Sequence, residues 1–137
     1  MLKSPRKIYL PVPAETERIG KLVLDAAYKV HTVLGPGLLE SVYQTAMKHV
    51  LQTGGLLVET EVKLPILFEG VKLESALRID TLVEKCVIAE LKSVEKMNPV
   101  FEAQLLTYLR LSKVRLGFLI NFNVPRLKDG GIKRMVV

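Results

Sequence analysis

The chain has 137 residues, with 20 Lys and Arg against 14 Asp and Glu, and a formal charge of +6. A chain of this length suits one domain and can bury about two thirds of its unfolded surface without staples, so repeat arrays and two-domain enzymes are not expected. With 49% hydrophobic and 25% charged residues it falls outside the disordered, collagen-like and low-complexity classes. The single cysteine, Cys86, cannot close an internal disulfide. That argues for a reducing, cytoplasmic setting and against a cysteine-built metal site. Excess positive charge on a small domain favours polyanions such as nucleic acid, although solubility alone accounts for it equally well. Much of the charge sits at the ends, in Lys3, Arg6 and Lys7 and in Arg126, Lys128, Lys133 and Arg134.

Residues 1–13 carry charges and three prolines where a signal peptide needs an apolar core of about 7 to 15 residues, so they are expected to form an arm. The remainder, 14–137, is expected to be one domain. No run approaches the roughly 18 apolar residues of a membrane span, so a soluble protein without a membrane partner is expected. Ile19, Leu22, Val23, Ala26, Ala27, Val30 and Val33 repeat at helical spacing and predict a first helix from about Glu15 to Thr32, stopped by Leu34-Gly-Pro-Gly37. Leu39, Val42, Tyr43, Ala46, Met47, Val50 and Leu51 predict a second, ended by Gly54-Gly55.

Beyond Gly55 the period falls to two. Val58, Val62 and Leu64 alternate with Glu59, Glu61 and Lys63, as in a strand with one wet face. A further strand at Ile66 to Phe68, a turn at Glu69-Gly70, and one or two strands between Val71 and Val83 follow. The stretch from Arg78 to Lys92 reads as a hairpin. A three-residue turn, Glu84 to Cys86, puts Val83 opposite Val87, Asp80 opposite Glu90 and Arg78 opposite Lys92. Glu90 and Lys92 share a face because side chains alternate along a strand. A one-residue change in the turn would break this register. Apolar residues on both faces suggest a central strand pair covered by helices. Asn98-Pro99 caps a third helix running to about Leu111, Leu116 to Phe122 is an apolar core strand, and Gly130-Gly131 precedes a short basic tail. Strand, helix, strand implies a parallel pair. The expected class is α/β or α+β, in the order α-α-β-β-β-α-β, with a central mixed sheet flanked by helices.

Two acids and an amine on one patch suit phosphodiester hydrolysis. Mg²⁺ or Mn²⁺ prefers oxygen ligands and is usually held by one or two carboxylates plus water and phosphate, which Asp80 and Glu90 can provide. Lys92 can offset charge developing on the phosphate or, with a lowered pKa, help deprotonate the attacking water. The plainer reading is a surface ion pair worth under about 1 kcal/mol.

Asp80, the ten-residue step to Glu90 and then Lys92 resemble the second and third elements of the PD-(D/E)XK nuclease superfamily, in a similar element order. Gly37-Leu-Leu-Glu40-Ser-Val-Tyr43 fits Gly-x-x-Glu-x-x-Tyr, and the wider phrase from His31 is similar to the group of small bacterial proteins named after that motif. The likeness extends through Gln104 and Tyr108, Gly117 to Phe122, and Gly131 to Arg134. It implies a restriction-endonuclease-like fold and a metal-dependent nuclease acting on DNA or RNA. Asp80 and Glu90 would be metal ligands, Lys92 would assist the attacking water, and Glu40 would be a further ligand of the metal or its water. Gln104 and Tyr108 resemble the Gln-x-x-x-Tyr motif of recombination-type nucleases, where they support site and substrate.

Each residue also has a structural reading. Glu40 suits the start of a helix by its charge, worth roughly 0.3 to 1 kcal/mol. Tyr43 lies on an apolar face and is counted as site support, with a core role the commoner one. Gln104 can bond a loop instead. His31 and His49 stand alone, so zinc is not expected, and Cys86 lacks a partner for nucleophilic work. The chain departs from the resembled pattern in two places. Phe101 stands where the group has histidine, and Ile79 rather than proline precedes Asp80. The alternative function is a catalytically silent nuclease-fold module that binds nucleic acid or a protein partner. A homodimer would add surface to so small a domain.

Overall fold

The computed structural model describes residues 10–137, so most of the expected arm, with Lys3, Arg6 and Lys7, lies outside the described residues. Helix α1 spans Ala14–Leu34 and α2 spans Glu40–Thr53. Then come β1 (Val58–Phe68), β2 (Val71–Val83) and β3 (Val87–Lys92). Helix α3 (Pro99–Ser112), β4 (Leu116–Asn121) and β5 (Ile132–Val136) complete the chain. The strands form one mixed sheet in the order β1-β2-β3-β4-β5, in which β3 and β4 are parallel and the other pairs antiparallel. Among the described residues no helix is long and apolar enough to cross a membrane.

The apolar strands take the centre because both their faces are covered. Val87, Ala89 and Leu91 pack with Val23, Ala27 and Met47 under α1 and α2, while Ile88 packs with Leu105 and Leu109 of α3. Alternation therefore sends Glu90 and Lys92 to the α3 face of β3. The helix boundaries fall within two residues of those expected for α1. At α3, Asn98 Oδ1 accepts the Val100 N–H at 3.0 Å with Pro99 as first helical residue, the cap that the sequence announces.

Two details differ from the sequence reading. The chain from Val58 to Phe68 is one strand, broken in register between Leu64 and Ile66, where Pro65 lacks the N–H that a ladder needs. Val71 to Val83 is one strand, within the one or two expected. The basic tail is a fifth strand paired to β4, and its Arg134 reaches Glu17 of α1 through two hydrogen bonds of 3.0 and 2.5 Å. Five residues are too few to show a period, although Ile132, Met135 and Val136 pack against the cores once β4 pairs with them.

The turn after β2 has the expected length, with Val83 opposite Val87 and the Cys86 N–H donating to Val83 O at 3.0 Å. Glu84 and Lys85 both adopt positive φ, 49° and 57°. Such strain in side-chain-bearing residues needs compensation. Glu84 supplies it by bonding Leu57 with both its N–H and its carboxylate, each at 2.8 Å. Phe118, at 1% exposed, fills the centre of the α1 layer. Phe118→Ala should cost roughly 3 to 5 kcal/mol in urea unfolding, and a loss under about 1 kcal/mol would show that the centre lies elsewhere.

Candidate active site

The β2–β3 ladder stops at Thr81↔Ala89, one pair short of Asp80 and Glu90. From there the strands part, and the acids replace the missing backbone bonds with their side chains. Asp80 Oδ2 accepts the Leu91 N–H at 2.8 Å, and Glu90 Oε1 accepts the Asp80 N–H at 3.2 Å. The expected strict pairing of Asp80 with Glu90 and of Arg78 with Lys92 is thus replaced by a fork. Arg78 turns instead to an ion pair with Glu61 of β1. The cause is electrostatic: two carboxylates held flat against each other in a dry ladder would repel, whereas splayed strands let each one take an N–H donor.

Asp80, Glu90 and Lys92 line one cleft of about 310 Å³, joined by Glu40 from the first turn of α2 and by Gln104 and Tyr108 from α3. Glu61 and Arg78 complete its wall. Gln104 Nε2 donates to the Tyr108 hydroxyl at 3.0 Å, one helical turn away, which ties the two side chains together at the mouth. The Lys92 ammonium lies over the Phe101 ring, 4.4 Å from its centre. Phe101, the departure noted above, therefore provides a face that holds the lysine beside the acids. Tyr43 is not part of the cleft wall. It is fully buried, stacks on Phe122 at 4.3 Å, donates its hydroxyl proton to Gly35 O at 2.6 Å and accepts the Leu38 N–H at 3.2 Å. Gly37, in the same loop, needs its φ of +94°. In the Gly-x-x-Glu-x-x-Tyr phrase, the glycine and the tyrosine thus shape the loop that delivers Glu40 to the cleft.

Two participants were missed by the sequence reading. Gln44, one turn after Glu40, donates to Asp80 Oδ1 at 2.8 Å and to Glu61 Oε1 at 2.9 Å. Its i+4 spacing from Glu40 was the available signal. Glu61 was read as part of a wet strand face. Continued without interruption from the Phe68↔Val71 pair, the register would put Glu61 opposite Arg78, but the irregularity at Pro65 moves it two residues along, level with Asp80. Glu61 also has positive φ, 54°, a strained conformation of the kind concentrated at functional sites.

Burial first, and then the neighbouring Asp80 charge, push Glu90 up to about 8. Burial likewise raises Asp80, against the lowering effect of its bonds from Leu91, Thr81 and Gln44. A buried acid and a half-buried one, both with raised pKa values and with too little positive charge beside them, match the donor chemistry of a hard divalent cation. Among the described residues no three His, Cys, Asp or Glu side chains gather at a spacing that would by itself hold a metal ion. Two carboxylates with water and phosphate oxygens filling the remaining positions is the usual mode for Mg²⁺. His31 is engaged elsewhere, its Nε2–H donating to Val124 O at 2.8 Å. Burial pushes the Cys86 thiol up, away from the reactive thiolate.

The sign of the pH effect follows. Between the ordinary carboxylate pKa, near 4.5, and the value of about 8, folded Glu90 holds a proton that the unfolded chain has lost. Stability should therefore fall as pH rises through that window. Thermal unfolding from pH 5 to 8 without divalent cations should show this slope, and Glu90→Gln should flatten it. An unchanged slope in the variant would place the titrating group elsewhere. Tyr43→Phe, which strands the buried Gly35 carbonyl and Leu38 N–H, should cost about 1 to 3 kcal/mol in denaturant unfolding while leaving the stack on Phe122.

A family model described as the PD-(D/E)XK nuclease superfamily matches residues 17–135. No match was found among curated proteins or among solved structures.

Proposed function

Because the chain belongs to the PD-(D/E)XK nuclease superfamily, we propose that it is a metal-dependent nuclease that hydrolyses phosphodiester bonds of DNA or RNA at the Asp80–Glu90 fork. The observation that carries this reading is the convergence of Asp80, Glu90, Lys92 and Glu40 on one cleft. Within the superfamily, the Gly37, Glu40 and Tyr43 phrase supports placing the chain in the small group named for Gly-x-x-Glu-x-x-Tyr. A cytoplasmic setting fits the lone cysteine.

Asp80 and Glu90 are the residues that would hold Mg²⁺ or Mn²⁺, with Glu40 as a further ligand of the metal or of its water. When bound, the cation would polarise the phosphoryl oxygen and acidify a water for attack. Lys92, held over Phe101, brings positive charge to the phosphate and assists the attacking water. Gln44 and Thr81 hold Asp80 in place through 2.8 Å bonds to Oδ1. Gln104 and Tyr108 line the mouth, where a nucleic-acid strand would enter. A second copy of the chain or a protein partner would extend the surface for a longer substrate.

The alternative, a silent module, draws on the same bonds, since Asp80 already has three hydrogen-bond donors on its carboxylate. One assay separates the two. Purified protein incubated with labelled single- and double-stranded DNA and RNA should cleave at least one of them only with Mg²⁺ or Mn²⁺. Asp80→Ala and Lys92→Ala should each lower the rate by about 10²-fold or more. Binding without cleavage in the wild type would support the silent module.

A further inference from the structure

A second polar pocket lies at the same end of the sheet as the cleft. It occupies about 440 Å³ between the last turns of α1 and the loop that joins β4 to β5. Tyr28, His31 and Thr32 line it from α1, and Arg126 and Lys128 from the loop. His31 is only 8% exposed, and its bond to the Val124 carbonyl anchors the loop to the helix. That carbonyl can only accept, so the imidazole proton sits on Nε2. His31 also packs against Phe122, on which Tyr43 stacks. The charges facing the pocket are two cations. Arg126 has Asp129 at 3.5 Å, and among the described residues Lys128 has no carboxylate within ion-pair distance.

The loop between α1 and α2 runs from the pocket to the cleft. Gly35 lines the pocket, and its carbonyl is the one that Tyr43 holds. Leu38, in the same loop, accepts a bond from Ser93, the residue after β3, at 2.5 Å. Glu40, on the other side of the loop, lines the cleft. The cleft takes the last three residues of β3 and the pocket takes the loop after β4, so both lie toward the C-terminal ends of the parallel pair.

We infer that this pocket is a phosphate subsite, which binds a phosphate group of the same nucleic-acid strand whose scissile bond lies at the Asp80–Glu90 fork. The inference rests on the nuclease reading above. Lys128 and Arg126 supply charge, and the Thr32 and Tyr28 hydroxyls supply neutral donors, the mixture that phosphate oxygens attract. The phosphate is either an internal diester or a terminal monoester of the strand.

The test uses the full chain without divalent cations, so that binding is read apart from cleavage. Isotope-labelled protein is titrated with inorganic phosphate and with one short single-stranded oligonucleotide, in 5′-phosphorylated and 5′-hydroxyl forms. The NMR signals of the His31 ring and of the Thr32 and Lys128 amides should shift and saturate with the oligonucleotide. Tighter binding of the phosphorylated form identifies a terminal monoester, and equal binding an internal diester. In anisotropy titrations against salt, the double variant Arg126→Ala/Lys128→Ala should reduce the slope of log K by roughly 0.7, the loss of one single-strand phosphate contact. Thr32→Val should weaken binding about threefold, the scale of one neutral hydrogen bond. Lys21→Ala, eleven residues before Thr32 on α1 and thus about 16 Å away, is the control for diffuse charge and should leave the slope unchanged. An oligonucleotide that shifts the cleft signals and leaves His31 and Thr32 still would overturn the subsite while the nuclease reading stands. If no oligonucleotide binds while inorganic phosphate still shifts the pocket, the strand subsite is overturned, because the pocket would then serve some other phosphate compound, while the nuclease reading stands or falls on its own cleavage assay.

Discussion

Asp80 and Glu90 each take a backbone N–H from the other's strand at the point where β2 leaves β3, and the architecture around them serves to keep that fork open and dry. A regular antiparallel ladder would satisfy the same backbone groups without side chains. Here the ladder stops at Thr81↔Ala89, and two acids pushed above the ordinary carboxylate range occupy the gap. Such an arrangement costs stability in the apo protein, because the buried Glu90 carboxylate loses hydration that a single N–H does not replace. Its retention is understandable where a cation offsets the charge. The surrounding elements support the fork from three sides: α2 through Gln44, α3 through the Phe101 face under Lys92, and β1 through Glu61.

The helices and the two central strands were legible in the sequence because their signals are strong and local. Asn98-Pro99 marked the start of α3, and the three-residue turn set the register on which the Asp80, Glu90 and Lys92 cluster depends. What escaped was non-local or irregular. The register change at Pro65, which carries Glu61 level with Asp80, cannot be counted from residue spacing alone. The last strand lacks an apolar period and exists because β4 offers it a free edge. The fork itself was anticipated as ordinary pairing, since propensity and alternation say nothing of repulsion between two acids that only meet once the sheet is formed.

The loop between α1 and α2 connects the parts. Leu39 precedes α2 without a side-chain cap, so the turn is held from within by Tyr43 and from outside by Ser93. A sequence phrase that looks like helix punctuation, glycine followed by glutamate and tyrosine, thereby becomes a positioning device for the acid at the N-terminus of α2. Charge at the chain's basic end is partly consumed by structure: Arg134 is committed to Glu17, and Arg126 is shared with Asp129. The net charge of +6 therefore overstates what is available to a polyanion, and the placement of each cation matters more than the sum.

The most direct test of the fork as a cation site is paramagnetic broadening by Mn²⁺ in the NMR spectrum of the full chain. Added below one equivalent near pH 7.5, Mn²⁺ should first erase the amide signals of Asp80, Glu90, Leu91 and Lys92, with Gln44 next, while those of the exposed carboxylates Glu15 and Asp25 persist. Broadening that begins at those surface acids and spares β2 and β3 would contradict the account.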